Sequence, residues 1–191
     1  MGQSKDTAIC RFKNMEKRFN RDPLLKKDYA AFIHEYEAIG HMRKIQTPEA
    51  LVMPHYYLPH HCVIKEESDT TKLRVVFDAS CKTTSGISLN DALMTGPVLQ
   101  QDLFSIVMRF RTFEYVLIAD IKKMYRQVFI DESQVALQRI VWRDNPDQPI
   151  KEYELITLTY GTGPAAFLAI KSIRMFAELE ANNFPIEDHT T

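Results

Sequence analysis

The run YVLIAD at 115–120 is the most constraining feature of the chain. Its apolar residues are nearly continuous and include β-branched types, a pattern that predicts a strand buried on both faces. The run ends on a carboxylate, Asp120, where the strand should leave the sheet. An aspartate there is either a turn residue or a metal ligand held on a rigid edge. Two-metal phosphoryl transfer needs oxygen ligands fixed in that way, with the ions stabilising the attacking and leaving oxygens. Tyr125 follows five residues later. It reads either as a core tyrosine or as a ring packed against a sugar in the same pocket.

The flanking segments alternate in character. DLFSIVMRFR predicts a helix capped by Asp102, with Leu103, Ile106, Val107 and Phe110 on one face. VALQRIVW and EYELITL predict strands over 135–142 and 152–158, joined by the turn-rich RDNPDQPI. GPAAFLAIKSIRMFAELEANNF predicts a helix over 164–181, opened by Gly163 and Pro164, with a core stripe of Phe167, Ile170, Ile173, Phe176 and Ala177. The three strands should form one sheet with that helix on one face. The order of elements predicts an α+β fold, an antiparallel sheet covered by helices.

Residues 1–50 read as a helical segment. In RDPLLKKDYAAFIHEYEAIG, Asp22 suits the cap, Pro23 the first helical position and Gly40 the end. Leu25, Tyr29, Phe32, Ile33 and Tyr36 form an apolar stripe, and Phe12, Met15 and Phe19 carry a similar one before it. The other face is rich in Lys and Arg. It is a solvated face or a basic arm that touches phosphates. Residues 51–101 contain HCVIK and KLRVVF on either side of EESDTT, the pattern of a β-hairpin with a longer loop. Residues 102–191 form the third segment.

At 191 residues, 45% hydrophobic and 26% charged, the chain can bury a core. Its net charge of −1 excludes a global basic field, so contact with nucleic acid would use local patches. Cys10, Cys62 and Cys81 are odd in number and widely spaced, which predicts a reducing compartment. No signal peptide is read at the N-terminus. MGQSKD loosely matches the start of a myristoylation site but has Asp6 where Ser or Thr is required, and no stretch nears the ~20 apolar residues of a membrane span. The expectation is an intracellular, cytoplasmic chain without a membrane. His55, His60, His61 and Cys62 cluster, but a zinc site needs a second pair of ligands that the neighbourhood lacks.

The hairpin gathers Lys65, Lys72 and Arg74. A guanidinium within a strand calls for an anion, either a triphosphate or one of Glu66, Glu67 and Asp78. Asp78 also suits the ordering of the loop that follows it. LTYGTGPAAF joins a strand to a helix through two glycines, without the Lys-Ser/Thr of a phosphate loop. Gly161 there predicts a close backbone approach to a partner. Trp142 and Arg143 read as structural.

Taken together, LRVVFDAS, SLNDAL, GPVLQQDLFSIVMRFR, VLIADIKKMYRQV, QRIVWR and LTYGTGPAAFLA resemble, in order and spacing, the reverse transcriptase of BEL/Pao-type LTR retrotransposons. MEKRFNRDPLLKKDYAAFIHEYEAIGHMRKI resembles the helical segment that precedes that domain, so the resemblance covers nearly the whole chain. It implies polymerase fingers over 51–101 and a partial palm over 102–191, and Mg²⁺-dependent (or Mn²⁺-dependent) template-directed nucleotidyl transfer. The partners would be an RNA or DNA template-primer and a deoxynucleoside triphosphate, in the cytoplasm or a virus-like particle. By the same resemblance Asp120 is the first metal-binding aspartate, with the Ile121 carbonyl as second contact. Tyr125 is the steric gate against a 2′-hydroxyl. Arg74 and Lys65 are triphosphate ligands of the fingers, and Tyr160 and Gly161 lie on the nucleotide and template side.

Two departures stand out. Ala166 occupies the place of the family's proline before Phe167, with Pro164 two residues earlier, which bears on the helix start and on Thr162 and Gly163. The family's palm also continues to a Tyr-x-Asp-Asp hairpin, whereas this chain ends in NNFPIEDHTT, where Asp188 has no apolar flanks. The expectation is therefore an incomplete palm, inactive alone. The alternative is a non-catalytic retrotransposon-derived remnant that binds nucleic acid or protein.

Overall fold

The computed structural model describes residues 2–46, 54–65, 67 and 73–183. Glu66, Lys72 and Asp188 lie outside them. The fold is α+β, with helices packed on small antiparallel sheets.

Helices α1 (Lys5–Arg21) and α2 (Pro23–Ala38) form as their punctuation dictates. The Asp22 carboxylate accepts from the Leu25 N–H at 2.9 Å, Pro23 takes the first turn, and Gly40 adopts φ +73° after the helix. Their apolar stripes, Ala8, Phe12, Met15 and Phe19 on one and Leu25, Tyr29, Ile33 and Tyr36 on the other, are buried.

The stripes meet the sheets in an aromatic core. Tyr29 stacks on Trp142 with ring centres 5.6 Å apart, and Phe12 tilts against the same indole at 5.4 Å. His60 sits among these rings, fully buried. Its Nε2–H donates to the Val141 carbonyl at 2.8 Å, and its Nδ1 accepts from the Tyr29 hydroxyl at 2.5 Å. Both ring nitrogens are thus occupied within the core. Burial pushes the His60 pKa down to about 4. Arg143, next to the core tryptophan, forks onto Glu16 of α1 with two 2.8 Å hydrogen bonds.

One sheet has the order β1 (Met42–Lys44), β5 (Lys151–Leu155), β4 (Arg139–Trp142), all antiparallel. The expected pairing of the last two strands is present, with shorter bounds. Residues 135–138 form a 3-10 turn before β4. Past β5, Thr157 bridges Phe129. The third strand is not 115–120 but β1, donated by the segment that follows α2. A second sheet pairs β2 (His60–Ile64) with β3 (Leu73–Phe77), the predicted hairpin, with Val63 opposite Arg74.

The expectation of a buried strand at 115–120 fails. No strand forms there, and Leu117 and Ile118 are 96% and 85% exposed. A strand apolar on both faces needs a hydrogen-bonding neighbour and cover on each side, and none of the described residues supplies either. The apolar faces of two helices are open for the same reason. Helix α4 (Leu103–Phe110) has its Asp102 cap, with the carboxylate accepting from the Ser105 N–H at 2.9 Å, yet it buries no residue. In α5 (Ala165–Glu180) only Ala165 and Ala169 are buried, whereas the expected core residues Ile173 and Phe176 face outward.

Candidate functional site

The loop after β5 joins the two sheets. Tyr160 packs on Phe77 with ring centres 5.7 Å apart, and its hydroxyl donates to the Val75 carbonyl in β3. Burial raises the Tyr160 pKa well above its ordinary value, so the group stays a donor. Gly161 follows at φ +97°, and a Cβ there would fall on the Phe77 carbonyl oxygen. The close approach expected of this glycine is therefore real, and its partner is the backbone of β3.

Asn90 closes the other side of the loop. It belongs to the short helix α3 (Leu89–Ala92), held by a capping box between Ser88 and Asp91. The Asn90 amide donates to the Gly161 carbonyl at 3.1 Å and accepts from the Gly163 N–H at 2.8 Å. The Thr162 hydroxyl bonds back to the Thr159 carbonyl at 2.8 Å, and α5 starts at Ala165 with Pro164 at its cap. The helix start thus accommodates Ala166 without a proline.

Tyr125 lies in a 3-10 turn, Met124–Gln127, that comes just after Asp120 and Ile121. It is half-buried and packs, with Met124 and Val128, on Leu158, Ala165 and Ala169. The turn is clamped from its other side by α2. Lys123, at φ +55°, pairs with Glu35. Arg126 is buried, with its guanidinium 3.9 Å from the Tyr36 ring centre, 5.0 Å from that of Phe32, and 3.8 Å from the Glu35 carboxylate. The Lys123 hydrogen bond holds the Glu35 carboxyl below its usual range. Burial, with the nearby Arg126 and Lys123 charges, pushes the His41 imidazole down. The turn is therefore held by α2 through Lys123 and Arg126, and by α5 and Leu158 through Met124, Tyr125 and Val128.

The other expected residues are open. Arg74 is exposed on β3 and Lys65 is exposed after β2, and neither makes an ion pair with another described residue. The anionic partner expected for Arg74 is thus not Glu67 or Asp78. Asp78 instead orders its loop, accepting from the Ser80 N–H at 3.1 Å, and pairs with Arg11 at 3.6 Å. Asp120 and Ile121 are exposed, at the end of the open apolar run. A cavity of about 360 Å³ between α3, residues 128–130 and α5 is lined by Leu93, Val128, Gln138 and Leu168, and by neither Arg74, Asp120 nor Tyr125.

A divalent cation of the Mg²⁺ type needs several oxygen ligands. Among the described residues no three His, Cys, Asp or Glu side chains gather to hold one. Asp120 and the Ile121 carbonyl do not make such a site by themselves.

Sequence reasoning missed Glu35, Asn90, Lys123 and Arg126. The available signal was weak: an acid beside Tyr36 on the buried stripe, and cations spaced three apart around Tyr125. Among the described residues no helix is long and apolar enough to cross a membrane. No family model matches the chain, and no curated protein matches it.

Proposed function

We propose that the chain comprises the fingers and first half of the palm of a BEL/Pao-type reverse transcriptase, preceded by a helical segment. The observation that carries this reading is the convergence of motif segments far apart in the sequence. Tyr160 and Gly161 are locked onto the strand that carries Arg74. Asn90 fastens the same loop. Tyr125 packs on the helix that the loop opens. A polymerase needs its triphosphate, sugar and template contacts held on one frame, because positioning supplies much of the rate.

In this reading Arg74, with Lys65, contacts the triphosphate. Tyr125 crowds a 2′-hydroxyl, and Asp120 with the Ile121 carbonyl contributes to the Mg²⁺ or Mn²⁺ site. The partners are an RNA or DNA template-primer and a deoxynucleoside triphosphate. The open apolar surface of 115–121, α4 and α5 is where further palm strands would pack, and it supports the same reading.

The test uses the chain joined to the Tyr-x-Asp-Asp hairpin and thumb of a BEL/Pao relative. Tyr125→Val should raise ribonucleotide incorporation in primer extension. Unchanged discrimination between ribo- and deoxynucleotides would remove Tyr125 from the sugar site.

A further inference from the structure

We propose that the outer face of α1 is a docking surface for the phosphate backbone of a nucleic-acid duplex, separate from the Asp120 region. Helix α1 carries six cations, Lys5, Arg11, Lys13, Lys17, Arg18 and Arg21, against two acids, Asp6 and Glu16. The acids around the helix are spent on its flanks. Glu16 is taken by Arg143, Glu152 by Lys5 and Asp78 by Arg11. Lys13, Lys17, Arg18 and Arg21 make no ion pair among the described residues, and all are exposed.

Three of these cations are aligned. Lys13, Lys17 and Arg21 recur every four residues on the side opposite the buried Phe12, Met15 and Phe19. At 1.5 Å per residue they span about 12 Å in steps of about 6 Å. Asn14 and Cys10 share this face, and Asp6 lies on it one turn before Cys10. From Cys10 to Arg21 the face holds no acid. A merely solvated helix face usually mixes signs and gains from pairs four apart. This one gains nothing from such pairs and presents three like charges in a row.

The surface fits a duplex backbone better than a single strand. Single-strand platforms combine cations with aromatic rings that stack on bases. Here the helix aromatics, Phe12 and Phe19, are buried in the core. What is left is charge and the amides of Asn14, which accepts from Lys17 at 3.4 Å, and Asn20, groups that contact phosphates without reading sequence. The inference takes its partner from the polymerase reading but does not use Asp120, Tyr125 or Arg74.

The test is fluorescence anisotropy of the full chain with a labelled duplex of about 20 base pairs, in EDTA so that metal chemistry plays no part. Three phosphate contacts predict an affinity loss of about 40-fold between 50 and 200 mM salt. The triple reversal Lys13→Glu, Lys17→Glu, Arg21→Glu should weaken binding at least tenfold at low salt. Cys10 gives a second readout, followed at its own peptide by mass spectrometry, because it is exposed beside the stripe while Cys62 is buried and Cys81 half-buried. Bound duplex should slow its alkylation in the unsubstituted chain, which decides the matter even if the reversed variant fails to fold. The proposal is overturned by failure of the unsubstituted chain to bind, by a folded reversed variant of equal affinity, or by unchanged Cys10 reactivity under saturating duplex. Each such result leaves the polymerase reading to its own metal-dependent test.

Discussion

The Tyr160 hydroxyl donates its hydrogen bond to the main-chain carbonyl of Val75, 85 residues earlier in the sequence. Val75 follows Arg74, so the loop after β5 and the hairpin that carries the exposed arginine are one unit. Tyr160→Phe should cost about 1–2 kcal/mol in urea unfolding, since a half-buried carbonyl loses its donor. Gly161→Ala should cost about 2 kcal/mol or more, because it adds a left-handed backbone penalty to a clash with Phe77.

Acid should destabilise the protein through His60. Its folded pKa of about 4 lies below the ~6.5 of an unfolded histidine. Between those values the unfolded chain binds a proton that the folded chain refuses. The contribution is fully present above about pH 6.5 and is lost as pH falls toward 4, by up to about 3 kcal/mol. His41, also shifted down, acts with the same sign. Urea midpoints from pH 7.5 to 4 should decline for the unsubstituted chain and decline less for His60→Gln.

Arg126→Ala should lower stability by about 2 kcal/mol, from loss of the stacked cation and of the volume it fills over Tyr36 and Phe32. Arg126→Lys should recover only part, since an ammonium lacks the planar face. Thermal unfolding of both variants checks this. Full recovery by lysine would show that charge alone matters.

Leu117→Lys should shift stability by less than about 0.5 kcal/mol, because Leu117 is almost fully exposed. A buried strand position would lose about 2–5 kcal/mol on losing its leucine. The same substitution should reduce binding of a hydrophobic dye.

The N-terminal helices were legible because their signals are local. Asp22, Pro23 and Gly40 punctuate α2, and its stripe of Leu25, Tyr29, Ile33 and Tyr36 is the buried one. The hairpin of β2 and β3 was legible for a similar reason. The run at 115–120 misled because an apolar pattern states a need for cover without supplying it. Leu103, Phe110, Ile173 and Phe176 misled in the same way. Strand β1 escaped notice because MRK holds one apolar residue and is a strand only beside β5. Arg126 escaped because burial of a guanidinium depends on rings about 90 residues away, which no local spacing reveals.

Primer extension with Mg²⁺ decides the polymerase reading, using the chain joined to a related Tyr-x-Asp-Asp hairpin and thumb, beside the chain alone. Two-metal transfer needs several carboxylates at once. The joined chain should extend primers, Asp120→Asn should abolish that extension, and the chain alone should give none. Extension by the joined chain that survives Asp120→Asn would remove Asp120 from the metal site, and Asp120-dependent extension by the chain alone would overturn the half-palm reading.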